Sequence, residues 1–242
     1  MKGVKSLLGG FRVKIYEFGC LEYLARDLCR QLRPGRSIVG IAGAPGAGKS
    51  TLAQKLVAYL TDVLDIHSAY LPMDGFHFSN AVLRQKQLLD RKGAPETFDV
   101  NGYLNVLQRL REIVDYPLFV PTYSRTLHEP IAAAIEIKPD TQVIVTEGNY
   151  LATQYGGWEN VKEMLDILWY LDTDTSLLED RLIERQMAGG RSRKLAVKWV
   201  DEVDSPNKDI VEKTKPEADA LIRLLFDLSL IHISEPTRRY AI

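Results

Sequence analysis

The chain has 242 residues, 45% of them hydrophobic, and its 31 Lys and Arg against 32 Asp and Glu leave a formal net charge of −1. That apolar content suits one α/β domain with an appendage, while the charge balance excludes a generic polyanion binder, so no nucleic acid is expected as a partner. Cys20 and Cys29 are too few and too far apart for a zinc or redox motif, no apolar stretch reaches membrane-span length, and the first residues lack a signal-peptide core, so the expected setting is a reducing cytoplasm without membrane contact.

Over residues 16–32, Phe18, Leu21, Leu24, Ala25, Leu28 and Leu32 recur at three- and four-residue steps, which predicts an amphipathic helix ended by Pro34 and Gly35. Residues 1–36 are therefore expected to be an N-terminal helix packing on a domain that spans 37–227. The apolar run 38–42 predicts that domain's first strand. The next eight residues, 43–50, match G-x-x-x-x-G-K-S/T, with Gly43, Gly46 and Gly48 freeing the backbone of side chains. Such a loop turns its N–H groups toward a triphosphate, and the helix after it aims its positive end at the anion. Gly43, Ala44, Gly46, Ala47, Gly48, Lys49, Ser50 and Thr51 are the expected nucleotide contacts. Lys49 is expected to reach the β/γ-phosphates and Ser50 to place its hydroxyl on Mg²⁺.

A helix is expected to run to about 64 and a short strand over 68–73. Asp74 follows at the C-terminal edge of the sheet, where open α/β sheets bind ligands. Residues 80–99 are too irregular for core and read as part of an acceptor-covering insertion over about 75–130. Within it, 100–114 looks helical and 117–123 leads into an exposed loop holding Arg125, His128 and Pro130. A buried strand over 143–148 ends in Glu147, and 167–172 is another central strand. An arginine-bearing lid over about 180–205 and a last strand near 218–224 complete the pattern. Strands alternating with helices predict a three-layer α/β/α P-loop NTPase fold with a mostly parallel central sheet.

Phosphoryl transfer to a hydroxyl needs metal-bridged phosphates, an acceptor held in line, a carboxylate to take its proton, and positive charge over the transferring group. Asp74 is the expected catalytic base, although an Asp before a Gly also serves as an ordinary turn cap. Glu147 is expected to handle Mg²⁺ together with Ser50. Arg181 and Arg185, with Arg191 and Arg193, are expected to close on the phosphates. His77, Tyr123, Arg125 and Asn149 are expected to line the acceptor pocket, whereas Trp158, Trp169 and Trp199 read as packing residues. ATP and Mg²⁺ are the expected cofactors and a small-molecule acceptor the expected partner, with a homodimer left open.

Loop 43–50 together with Met73-Asp74-Gly75-Phe76-His77, Lys92-Gly93-Ala94-Pro95-Glu96-Thr97-Phe98-Asp99, Pro121-Thr122-Tyr123-Ser124-Arg125, Val145-Thr146-Glu147-Gly148-Asn149-Tyr150 and Ser205-Pro206-Asn207 resembles the P-loop kinase superfamily of uridine kinase, phosphoribulokinase and bacterial pantothenate kinase. Within it the chain looks most like nucleoside/nucleotide kinase family proteins that include fructose-transport-associated kinases. The resemblance covers about 34–224. It implies that Asp74 is the catalytic aspartate of the D-G-F-H element, that Arg181 and Arg185 begin the lid, and that Pro206 and Asn207 lie near the adenine, which makes Asn207 a cofactor contact. Uridine kinases resemble one another around F-D-H-P-x-A-F-D, which this chain lacks at 92–99. The pantothenate kinase element K-G-F-P-E-S-Y-D is nearer, and those enzymes carry a longer C-terminal part.

The expected activity is thus ATP-dependent transfer to a sugar, nucleoside or pantothenate-like hydroxyl. A P-loop switch is the alternative, but a guanine reader needs N-K-x-D, and at Asn207-Lys208-Asp209-Ile210 the acid falls one place early. A nucleotide-binding protein that has lost catalysis is the third option. Finally, residues 228–238 resemble a reading-frame translation of a transposase adapter from sequencing libraries, so 228–242 are expected to be non-native and enter no structural argument.

Overall fold

A computed structural model describes residues 2–8, 11–112, 115–174 and 176–226. The adapter-like residues 228–242 lie outside the described residues. Seven strands form one sheet in the order β1-β2-β9-β8-β3-β7-β4, comprising Lys2–Leu8, Phe11–Phe18, Ala220–Leu224, Ile167–Leu171, Ser37–Ala42, Val143–Gly148 and Ser68–Pro72. β1 runs antiparallel to β2, and every other pairing is parallel. Two further strands among the described residues, β5 (Leu118–Ser124) and β6 (Glu129–Ile137), form a separate antiparallel hairpin.

Period-2 alternation assigns the two faces of the sheet. Val39, Ile41, Val143, Val145 and Trp169 pack with Leu24 and Leu28 of α1 (Leu21–Cys29) and with Leu52 and Leu56 of α2 (Lys49–Asp62). Ile38, Ile144, Leu168 and Tyr170 face the other way, toward Tyr103 and Leu107 of α4 (Val100–Arg111) and toward Trp158 and Val211. The result is three layers, α/β/α. Three further helices, α3 (Asn80–Gln85), α5 (Ser176–Ala188) and α6 (Arg193–Trp199), lie outside this frame, and a π-helical turn, Val200–Asp204, joins α6 to α7 (Ser205–Glu212). Among the described residues no helix is long and apolar enough to cross a membrane.

Two expectations need correcting. The N-terminal segment is not a helix alone, because β2 joins the sheet beside β9 and takes residues 16–18 out of the expected helix. Val13 and Ile15 alternate with Lys14, a strand period that the longer helical spacing after Phe18 obscured. Residues 117–123 do lead into an exposed loop, 125–128, but as the first strand of a hairpin whose second strand takes Pro130, with Leu118 and Val120 buried and Phe119 exposed.

The hairpin fixes the turn that carries Asp74. Gly75, in the 3₁₀ turn Met73–Phe76, lies so close to β5 that a Cβ there would sit 2.6 Å from the Pro121 carbonyl oxygen and 3.1 Å from the Thr122 nitrogen. Both are backbone atoms with no rotamer by which to yield. Gly75→Ala is therefore expected to destabilise the fold by about 1–3 kcal/mol, a fall in Tm of roughly 2–10 °C for a chain of this size, readable by thermal denaturation.

Candidate active site

The loop 43–50 connects the central strand β3 to α2, where β8 and β7 flank β3 on either side. Its glycines are needed for backbone reasons. Gly46 and Gly48 hold φ of 80° and 95°, and a Cβ on Gly43 would meet the Leu171 carbonyl oxygen at 2.9 Å. The first N–H groups of α2 have no intrahelical acceptor. Lys49 folds back beneath them, 7% exposed, with its Nζ donating to the Ala44 carbonyl at 2.9 Å and to Asn149 Oδ1 at 2.7 Å. Burial lowers its pKa to about 8, a fall that the charges of Glu147 and Asp74 offset in part.

Glu147 ends β7 fully buried. One carboxylate oxygen accepts from Ser50 Oγ at 3.0 Å and from the Tyr70 hydroxyl at 2.7 Å. Burial, and after it the nearby charge of Asp74, pushes its pKa up. Among the described residues no group of three or more His, Cys, Asp or Glu is placed to hold a metal. A single carboxylate and a hydroxyl beside a phosphate loop nevertheless suit Mg²⁺, which leans on phosphate oxygens and water for its remaining ligands. The open backbone cradle likewise suits a triphosphate.

Two cavities open at this edge of the sheet. One, about 1180 Å³, is lined by residues 46–51 with Asp172, Thr173, Arg181, Lys215 and Phe226. The other, about 1270 Å³, is lined by Asp74, His77, Lys92, Tyr123, His128, Asn149 and Trp199 among others. Among the described residues, only Arg125 and Arg185 line both. His77 stacks on Phe98 with ring centroids 3.9 Å apart, and burial holds its imidazole neutral, at a pKa of about 4. Burial raises Tyr123 to about 12. At neutral pH both are therefore neutral hydrogen-bonding groups rather than charges.

Of the residues singled out from sequence, Asp74, His77, Tyr123, Arg125, Asn149 and Arg185 share the larger cavity, and Gly46, Ala47, Gly48, Lys49, Ser50, Thr51, Arg181 and Arg185 the smaller. Asn207, expected near the adenine, is buried on α7 and lines the larger cavity, its amide nitrogen beside Gly93. Arg193 is exposed at the start of α6 and lines neither cavity. Trp199 is not simply packing: it lines the larger cavity with the Arg191 guanidinium 4.2 Å above its ring. Sequence reasoning missed Tyr70. In the β4–β7 register Pro72 lies opposite Glu147, so Tyr70, two residues earlier on the same face, is its diagonal neighbour.

A glycine-rich loop at the head of a central parallel strand, a buried lysine beneath it and a strand-end acid bonded to the loop serine define a P-loop protein. Residues 38–229 match the Phosphoribulokinase / Uridine kinase family, and the chain belongs to that family. It is accordingly a P-loop kinase, an ATP-dependent phosphotransferase. The chain is 32% identical over 192 residues to the "Uncharacterized protein YggC" of Escherichia coli, covering 78% of each. It is 32% identical over 159 residues to the pantothenate kinase of Latilactobacillus sakei, covering 64% of this chain and 51% of that one. The crystal structure of a "putative fructose transport system kinase" from Silicibacter sp. TM1040 superposes with a TM-score of 0.77 at 34% identity, covering 85% of this chain and 99% of that one.

Proposed function

We propose that this kinase transfers the γ-phosphoryl group of ATP to a hydroxyl of a small metabolite, a sugar, nucleoside or pantothenate-like acceptor. One observation carries the reading: among the described residues, the phosphate-loop cavity and the Asp74 cavity share Arg125 and Arg185 alone. A donor phosphate and an acceptor hydroxyl on either side of two guanidiniums are arranged for in-line transfer with the developing charge clamped.

In this reading the backbone of 43–50 and Thr51 cradle the triphosphate. Lys49 meets the β/γ-phosphates, and Ser50 with Glu147 holds Mg²⁺, whose chemistry when bound is to neutralise phosphate charge. Asp74 takes the proton of the acceptor hydroxyl as its oxygen bonds to the γ-phosphorus and the β–γ bridge opens to release ADP. Arg181 and Arg185 steady the transferring group, while His77, Tyr123, Arg125 and Asn149 fix the acceptor. Asn207, given where it lies, belongs with the acceptor rather than the adenine. His77, neutral at neutral pH, enters this scheme as a hydrogen-bonding group rather than a charge.

The test is a coupled ADP-release screen against sugars, nucleosides, pantothenate and related hydroxy acids. ADP release stimulated at least tenfold over acceptor-free hydrolysis by one of these classes is expected. Nucleotide turnover that responds to none of them, and only to a protein partner, would contradict the reading.

A further inference from the structure

Behind Arg185 lies a network of polar and charged side chains that the transfer scheme does not use. Asp204 closes the π-helical turn at the start of α7, with a side chain 10% exposed, and its Oδ1 lies 3.6 Å from Arg185 Nη2. Its Oδ2 accepts from Gln186 Nε2 at 3.2 Å. Gln186 in turn accepts from Arg191, whose guanidinium covers Trp199. Arg185 and Gln186 of α5 are thus tied directly to one carboxylate, and Arg191 of the turn after it and Trp199 of α6 are linked to it through Gln186; Asp204 itself lines the larger cavity.

Arg185 has reason to need such a tie. It shares the junction of the two cavities with Arg125, a like charge that disfavours its guanidinium there along with burial, while Asp204 is the foremost charge in its favour. An arginine has several rotatable bonds, so a guanidinium repelled from one side and unanchored on the other would be spread over many rotamers. A π-helical turn widens the backbone by one residue and re-aims the side chains at its end, a device often found at functional sites.

We infer that Asp204 is a positioning residue that holds Arg185 at the cavity junction for the γ-phosphate, acting through Arg185 and not on the reactants. The inference rests on the reading of Arg185 as a phosphate clamp. It also has a sign that a merely structural role would not produce. Removing a negative charge near a polyanion site strengthens general electrostatic attraction, so Asp204→Asn should leave affinity for Mg·ADP unchanged or slightly tighter. Affinity for Mg·AMP-PNP, which needs the γ-phosphate contact, should fall.

The experiment measures Mg·AMP-PNP and Mg·ADP binding by tryptophan fluorescence in the full chain for wild type, Arg185→Ala, Asp204→Asn and the double variant. Arg185→Ala is expected to weaken AMP-PNP about tenfold or more, as loss of a charge-assisted contact does, with ADP changed less than about twofold. Asp204→Asn is expected to show about a threefold to tenfold loss of the same selective kind, absent on the Arg185→Ala background. Gln186→Leu keeps the Asp204 charge and removes one of its restraints, so it should give a smaller loss in the same direction and serves should Asp204→Asn fold poorly. Equal shifts for both nucleotides, or the same loss with and without Arg185, would overturn the inference while leaving the proposed function standing. An Arg185→Ala variant that binds both nucleotides normally would instead remove Arg185 from the clamp and overturn both assignments together.

Discussion

Asp74→Asn is expected to bind Mg·ATP within about twofold of wild type while losing about 10²–10⁴-fold in acceptor-dependent turnover, the range that general-base catalysis supplies. The split follows from position. Asp74 lies in the 3₁₀ turn after β4 and lines the larger cavity with His77 and Asn149, whereas the loop residues 46–51 line the other. Replacing its carboxylate with an amide should keep the shape of the turn, which backbone bonds hold, among them His77 N–H to the Asp74 carbonyl at 3.3 Å and Asp99 N–H to the Phe76 carbonyl at 2.8 Å. It removes only proton affinity and charge. Steady-state kinetics with parallel binding of Mg·AMP-PNP checks the claim, and a fall in nucleotide affinity equal to the fall in turnover would assign Asp74 to the donor side instead.

Lys49→Met is expected to abolish nucleotide-dependent stabilisation and to cut turnover by about 10²-fold or more, since one preorganised donor at the transferring group contributes that much. The same substitution should leave the ligand-free protein at least as stable as wild type near pH 7. Burial lowers the Lys49 pKa to about 8 in the folded chain, against about 10.4 for an exposed lysine. The unfolded state therefore binds this proton more tightly. Between pH 8 and about 10.4 the unfolded chain keeps a proton that the folded one has lost, so on this account stability rises with pH across that window. Below pH 8 the folded protein carries a buried charge, a cost that the uncharged methionine avoids and that bound phosphate offsets in the wild type. Thermal denaturation with and without Mg·ATP, at pH 7 and pH 9, reads both effects, and nucleotide affinity should weaken as pH rises through 8. A Lys49→Met protein that melts well below wild type without ligand would contradict this account of the buried charge.

The donor half of this site is legible in the sequence because backbone geometry dictates it. Gly43, Gly46 and Gly48 are required by positive φ or by close approach, and those requirements appear directly as residue identities. The central strands are legible for a related reason, since Ile38-Val39-Gly40-Ile41-Ala42 and Val143-Ile144-Val145 are buried on both faces and read as unbroken apolar runs. The edges of the fold are less so. The β5–β6 hairpin is partly exposed and alternates weakly, and β2 takes its place in the parallel sheet only by pairing with β9, about 200 residues away in the chain. Side-chain destinations are least legible. Arg185 and Arg193 are eight residues apart and indistinguishable in type, yet one lines both cavities and pairs with Asp204 while the other is exposed at the start of a different helix. Asn207 illustrates the same limit, because a motif match carries a residue to a place in the chain and not to a cavity.

The central claim is that phosphate moves from the loop side of the arginine pair to an acceptor on the Asp74 side. The most direct measurement follows the γ-phosphoryl group itself, with γ-labelled ATP and the best acceptor class from the ADP-release screen, in wild type and in Asp74→Asn. The account predicts label in a phosphate ester of the acceptor for wild type, and a rate lower by at least about 10²-fold in the variant with ATP still bound. Label appearing only as free phosphate, at the same rate in both proteins, would contradict it.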